Sequence, residues 1–158
     1  LLTAFLGAWV IGRFEDTIQQ LVALAVLMPV VAGMGGIAGS QTLTIAIRGI
    51  ALGQIAKTNV KPLLIKELSI GILNGIFWSC VVAIVVILWF GKLSLGVIIG
   101  ASMIINLIIA ALAGATIPII LKRYGIDPAI AGGVILTTVT DVVGFVTFLG
   151  LATIFLLS

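Results

Sequence analysis

A chain of 158 residues in which 62% are hydrophobic and 8% are charged has the composition of an integral membrane protein. Its net charge of +3 does not indicate nucleic-acid binding, because nearly all the charges lie in the links between apolar runs. With no histidine and a single cysteine, the sequence lacks the usual ligands for zinc or haem and the usual catalytic base, so no enzyme is expected and any metal site must use oxygen ligands.

The apolar runs predict an all-α integral membrane domain that occupies residues 1–158 and has five transmembrane helices, at roughly 20 residues per crossing. The first run, Leu1–Ile11, is short for a crossing and is expected to be the tail of a longer helix. The second, Gln20–Leu52, would measure about 50 Å as one helix, against a hydrocarbon core of roughly 30 Å. It is therefore predicted to be broken or kinked, at Pro29 and the glycine-rich residues 33–41.

The remaining three helices follow in order along the chain. The third, about Leu64–Phe90, comes after a basic segment, Ala51–Leu68, that is expected to form a loop and an amphipathic approach to the helix. Gly91 and its neighbour make a tight link to the fourth helix, about Leu93–Leu121. The fifth starts at Pro128, with Asp127 before it as the N-cap, since proline suits a first helical turn.

The positions of the basic residues predict the orientation of the chain. More of them lie in the links after the second and fourth helices than on the other side of the membrane. The positive-inside rule makes the side of these two links cytoplasmic. The N-terminus is then cytoplasmic and Ser158 external, in a cell membrane, with Trp9 and Trp89 near the outer interface. The basic residues assigned to the cytoplasmic side are Arg48, Lys57, Lys61, Lys66, Lys122 and Arg123, and those assigned to the other side are Arg13 and Lys92.

Asp141 is the one charged residue in the apolar run Ala129–Leu157. A charge at the centre of a membrane helix costs roughly 2.5–3.5 kcal/mol, so such groups usually face protein or water and mark a path for ions or protons. At helical spacing its neighbours include Thr137, Thr138 and Gly144, which form a small, hydroxyl-bearing stripe. The stripe is expected to line a wet passage. The alternative is an acid that is neutralised by protonation or by an internal partner and only locks helices together.

Polar residues after the glycines of the second helix point to the same kind of passage. Ser40, Gln41, Thr42, Thr44 and Arg48 form a polar tail inside a crossing segment, which suggests a hydrated vestibule. Close helix packing through the glycines is the competing interpretation. Elsewhere, Asn74 and Asn106 are interpreted as interhelical contacts without direct chemistry.

Two stretches carry a resemblance to a known family. One is PVVAGMGGIAGSQ at residues 29–41; the other combines the DPA run that begins at Asp127 with TTVTDVVG at residues 137–144. Together they resemble the transmembrane domain of the MgtE family of magnesium transporters and channels, over essentially the whole chain. The resemblance implies a homodimer with a pore at the subunit interface, lined by the second and fifth helices.

The resemblance also assigns roles to particular residues. It implies that Asp141 holds a partly hydrated Mg²⁺, that backbone carbonyls near Thr137 and Gly144 complete the site, and that Asp127 lies at the cytoplasmic opening. It further implies that an acidic domain and paired CBS domains precede this part of the protein in the cytoplasm. One departure stands out, because the family usually has asparagine where this chain has Ile37.

Charge balance supports the dimer independently of the resemblance. A two-fold axis along the pore brings a second copy of Asp141 opposite the first, which supplies two carboxylates for one divalent ion. The chain would then pass hydrated Mg²⁺ into the cytoplasm down its electrochemical gradient. Two alternatives stay open: a proton-coupled secondary transporter of another divalent cation with Asp141 as its titrating group, and a structural membrane subunit that conducts nothing.

Overall fold

The computed structural model describes residues 1–55 and 60–156, and their regular structure is helical, which confirms an all-α fold. Lys57 and Ser158 lie outside the described residues, so the topological roles expected for them stay predictions. The helices are α1 (Leu2–Gly12), α2 (Glu15–Gln20), α3 (Ala23–Ala51), α4 (Val60–Phe90), α5 (Leu93–Arg123) and α6 (Pro128–Leu156).

Four of these helices, α3 to α6, are long and apolar enough to cross a membrane within the described ranges. Helix α1 has 11 residues and measures about 16 Å, which is roughly half the thickness of the hydrocarbon core. The fifth crossing, for which α1 would be the end of a longer helix, therefore stays a prediction. The short helix α2 follows α1 and carries Glu15 and Asp16 in its first turn.

Helix α5 is the centre of the bundle. It packs against α3, α4 and α6, and more of its membrane-spanning part is buried than in any of these three neighbours. Helices α3 and α6 also pack against each other, and α1 lies on α6, whereas α3 and α4 make few direct contacts. A cleft therefore separates α3 from α4, and α5 forms its floor.

Two groups of buried apolar side chains hold the bundle together. The larger group joins α3, α5 and α6 through residues such as Val31, Met103 and Phe148. The smaller one joins Leu43 and Leu136 with the end of α5. Because lipid tails are as apolar as these side chains, the stabilisation comes from close packing rather than from removal of apolar surface from water.

Helix α3 is continuous from Ala23 to Ala51, so the predicted break is wrong, while a bend at Pro29 stays a prediction. Two of the glycines that favoured a break, Gly35 and Gly39, lie against α5 instead. A Cβ on Gly35 would come within 2.3 Å of the Asn106 amide, and a Cβ on Gly39 within 3.3 Å of the Ala110 carbonyl. In a membrane helix such contacts compensate for poor helix propensity.

Helix α4 begins earlier than the sequence suggested. Its first residue is Val60, so Lys61 and Pro62 lie in its first turn rather than in a loop. Proline is tolerated there because the first amides of a helix have no partner within the helix. The predicted tight link after α4 is confirmed, and Gly91 adopts a positive φ of 66° that glycine accepts without strain.

Candidate ion site in the last helix

Asp141 lies near the middle of α6 and is partly exposed. Among residues 1–55 and 60–156, no hydrogen bond or ion pair engages its carboxylate. The interior-partner alternative considered for this acid therefore finds no support in the described part of the chain. Both carboxylate oxygens are available to a ligand that approaches this face of the helix.

The hydroxyl groups beside Asp141 bond to their own helix. Thr137 Oγ1 donates to the Gly133 carbonyl at 2.9 Å, and Thr138 Oγ1 donates to the Val134 carbonyl at 2.8 Å. Each hydroxyl proton is thus used, while the oxygen lone pairs stay free to accept hydrogen bonds from water. Thr137 is exposed and lies one turn before Asp141, so the two residues share a face of α6.

Gly144 lies three residues after Asp141, on a neighbouring and buried part of the surface of α6. A Cβ at this position would be 2.9 Å from Asn106 Nδ2 and 3.4 Å from a methyl group of Val31. Its carbonyl accepts a hydrogen bond from Thr147 Oγ1 at 3.2 Å. Its place in the structure is thus a close contact between helices, and a role for its carbonyl toward an ion stays a prediction.

Asp127 is separated from Asp141 by about 20 Å along the axis of α6, at roughly 1.5 Å per residue. Its Oδ1 accepts a hydrogen bond from the Ala129 amide at 2.9 Å, which confirms the predicted N-cap. The side chain is exposed, and no ion pair with Arg48 is present among the residues described. Asp127 and Asp141 therefore belong to two separate places along one helix.

Asn106 of α5 positions α6 next to the candidate site. It is 1% exposed, and its Nδ2 donates to the Val31 carbonyl of α3 at 2.8 Å. The amide lies between Gly35 of α3 and Gly144 of α6, so one side chain fixes three helices, as expected for an interhelical contact. Its Oδ1 is buried without a hydrogen-bond partner among the described residues.

We expect Asn106→Ala to lower the free energy of unfolding by about 1 kcal/mol, because the hydrogen bond to α3 is lost inside the bundle. Unfolding of the purified chain in detergent micelles, titrated with SDS, measures this change. Ile105→Ala is the matched control, since Ile105 is the adjacent residue on the more exposed side of α5. Equal losses in the two variants would contradict the positioning role.

The side of α3 that carries Ser40, Gln41 and Thr44 is exposed, and no other helix among residues 1–55 and 60–156 covers it. A shallow groove of about 380 Å³ runs along it, and Thr44 Oγ1 donates to the Ser40 carbonyl at 2.8 Å. Ile37 places an exposed apolar side chain in the groove. The groove is lined by Gly36, Ile37, Ser40, Gln41 and Thr44.

Glu67 is a buried acid near the end of the basic segment that was expected to approach the third helix. It is 4% exposed in the second turn of α4, and its Oε2 accepts a hydrogen bond from Thr42 Oγ1 at 3.1 Å. A signal was present in the sequence: Glu67, Gly71, Gly75 and Ser79 recur at a spacing of four and are all buried. Glu67 thus belongs to the packed face of α4.

Comparisons with known proteins show the family to which the chain belongs. The family described as MgtE, divalent cation transporter, matches residues 28–151. The chain is 38% identical over its whole length to a magnesium transporter MgtE of Bacillus subtilis, of which it covers 35%. It is 32% and 30% identical, over 96% and 99% of its length, to proteins of the same name from Enterococcus faecalis and Thermus thermophilus, of which it covers 34% each. The chain thus spans about a third of the length of these relatives, and it belongs to the MgtE family of divalent cation transporters.

Proposed function

We propose that this chain is the membrane pore domain of a Mg²⁺ transporter or channel, in which Asp141 from two copies holds the ion. The observation that carries the proposal is a partly exposed carboxylate in the middle of a membrane helix, without a partner among the described residues. Such a group is expensive unless it meets water or a cation. The three relatives are magnesium transporters by name, and they supply the identity of the ion.

The exposed faces of α3 and α6 support a pore between two copies. Helices α3 and α6 pack side by side. One carries the polar groove with Ser40 and Thr44, and the other carries Thr137 and Asp141 on its accessible side. A two-fold axis along these faces doubles each polar group around one passage. Two carboxylates then balance the two charges of Mg²⁺.

The donor set favours an ion that keeps its water. The hydroxyl groups of Thr137 and Thr138 donate their hydrogen bonds to backbone carbonyls, so toward a hydration shell their oxygens act as acceptors. Mg²⁺ gives up water reluctantly and demands octahedral geometry. A passage that holds the hydrated ion avoids the cost of dehydration and selects by the size of the shell. Gly144 and Asp127 belong to this proposal as a carbonyl ligand and as a charge at the cytoplasmic mouth.

Uptake into liposomes tests the function. The purified chain is reconstituted around a Mg²⁺-sensitive dye, and influx is measured with the membrane potential negative inside. Cobalt(III) hexaammine, which has an octahedral shell that does not exchange, is added as a competitor. We expect potential-driven Mg²⁺ influx that the competitor inhibits. Influx that requires a pH gradient would favour the proton-coupled alternative. Absence of influx with either a membrane potential or a pH gradient would favour the structural subunit.

The proposed role of Asp127 at the cytoplasmic mouth can be tested separately from its role as the N-cap of α6. Asp127→Asn retains a capping oxygen and removes the charge, so we expect unchanged stability and a Mg²⁺ influx that is lower by a few fold at low ionic strength. Asp127→Ala removes both and is expected to cost about 1 kcal/mol of stability as well. Equal influx in the wild type and in Asp127→Asn would leave Asp127 with its structural role alone.

The remaining length of the relatives is consistent with further domains in the parent protein. We propose that these are the cytoplasmic CBS-containing regulatory domains that the family resemblance implies. In that arrangement the N-terminus of this chain is cytoplasmic and its end external. Thiol labelling from either side of the membrane, with a cysteine introduced beside Lys92 in a Cys80→Ala background, measures this orientation.

A further inference from the structure

The cleft between α3 and α4 contains a polar cavity within the membrane-spanning part of the chain. It has a volume of about 150 Å³, and Leu107 and Ala111 of α5 form its floor. Glu67 and Asn74 of α4 line one wall, and residues of α3 line the other. The polar residues on the α3 side are Gln41 and Thr42.

The carboxylate of Glu67 is only half satisfied in this cavity. Its Oε2 accepts the hydrogen bond from Thr42, while its other oxygen has no hydrogen-bond partner among residues 1–55 and 60–156. No lysine or arginine of those ranges lies within ion-pair distance of it. Lys66 borders the same cavity, but its side chain is exposed. A charge that is 4% exposed and has only a neutral hydroxyl partner needs a neutralising group.

The chemistry of the cavity selects the class of neutralising ligand. Its carboxylate, amide and hydroxyl oxygens are hard donors, which suit alkali and alkaline-earth cations. Glu67 is the one acid among them, so a single positive charge balances the site. A divalent ion would leave an excess positive charge at this single carboxylate.

We propose that this cleft binds one monovalent inorganic cation through the free oxygen of Glu67, with the amide oxygens of Gln41 and Asn74 as further ligands. The site is distinct from the one at Asp141 and does not depend on the pore function. Gln41 also lines the groove on the outer face of α3, so the cleft and the groove share a side chain. A cation bound in the cleft would therefore hold a side chain that also lines the groove on α3.

Direct binding of ²²Na⁺ to the purified chain in lipid nanodiscs tests the site. We expect saturable binding of one Na⁺ per chain at neutral pH in the wild type and in Asp141→Asn. Glu67→Gln, which conserves shape, is expected to abolish binding, and Asn74→Ala to weaken it by about fivefold, the effect of one lost oxygen ligand. Size-exclusion chromatography establishes whether each variant is folded. If Glu67→Gln does not fold, the effect of Asn74→Ala on Na⁺ binding tests the proposal.

Several outcomes would overturn the proposal. Absence of saturable Na⁺ binding in the wild type would do so, and so would undiminished binding in Glu67→Gln and Asn74→Ala. A protonated-carboxyl infrared band at neutral pH that disappears in Glu67→Gln would show that a proton neutralises the acid. If Lys66→Gln failed to fold and the wild type bound no Na⁺, Lys66 would be the group that neutralises Glu67. Loss of binding in Asp141→Asn alone would place the Na⁺ in the pore.

Discussion

Mg²⁺ influx into liposomes is expected to fall by at least about 100-fold when Asp141 is replaced with alanine. The substitution removes both carboxylates that face the ion in the proposed dimer. At an effective dielectric constant of about 20, two unit charges roughly 5 Å apart interact by about 3 kcal/mol, and each 1.4 kcal/mol is a factor of about ten. Because no described residue bonds to this carboxylate, its loss disturbs no internal hydrogen bond.

The side chains placed at Asp141 can separate charge from shape. Asp141→Asn keeps the volume and removes the charge, so it is expected to conduct as poorly as alanine. Asp141→Glu keeps the charge on a longer stem and is expected to recover part of the influx. Asp16→Asn, which changes an exposed acid on a different helix, α2, is the matched control. Normal influx through Asp141→Asn would rule out the electrostatic role and with it the proposed pore.

Much of the fold follows from the hydropathy of the sequence and from its turn-forming and capping residues. The four long helices correspond to four of the apolar runs, and the turns at Gly91 and before Pro128 occur where glycine, proline and an N-cap indicated them. The central position of α5 could not be predicted in this way. Helices α4, α5 and α6 have apolar residues on every side, so periodicity does not distinguish a lipid-facing side from a packed one.

The candidate site was partly predictable for a related reason. Asp141 stands out because a lone charge in an apolar run is costly, and that signal requires no knowledge of the fold. The buried position of Gly144 and the bridging role of Asn106 depend on the neighbours of α6, which the sequence does not name. Glu67 was missed because it follows Lys66 at the end of a basic segment, while its burial depends on a contact with α3.

Gly114→Ala is expected to destabilise the bundle more than other glycine substitutions. Gly114 of α5 faces the backbone of α3: an added Cβ would be 2.6 Å from the Gly39 carbonyl oxygen and 2.9 Å from Thr42 Cβ. The first of these atoms belongs to a backbone and cannot rotate away, so the two helices must move apart. Overpacking of this kind costs roughly 1–3 kcal/mol, and alanine's better helix propensity returns about 1 kcal/mol at most.

The matched control for Gly114→Ala is Gly150→Ala in α6, where an added Cβ meets no atom within 4 Å. That variant is expected to unfold at the same SDS concentration as the wild type or slightly above it, because only helix propensity changes. Gly35→Ala provides an intermediate case, since its Cβ would meet the Asn106 side chain, which can move at the expense of its hydrogen bond. Stability should therefore decrease in the order Gly150→Ala, Gly35→Ala, Gly114→Ala. Equal stability of the first and the last would mean that α3 and α5 are not in close backbone contact, and the floor of the cleft at Glu67 would then need a different description.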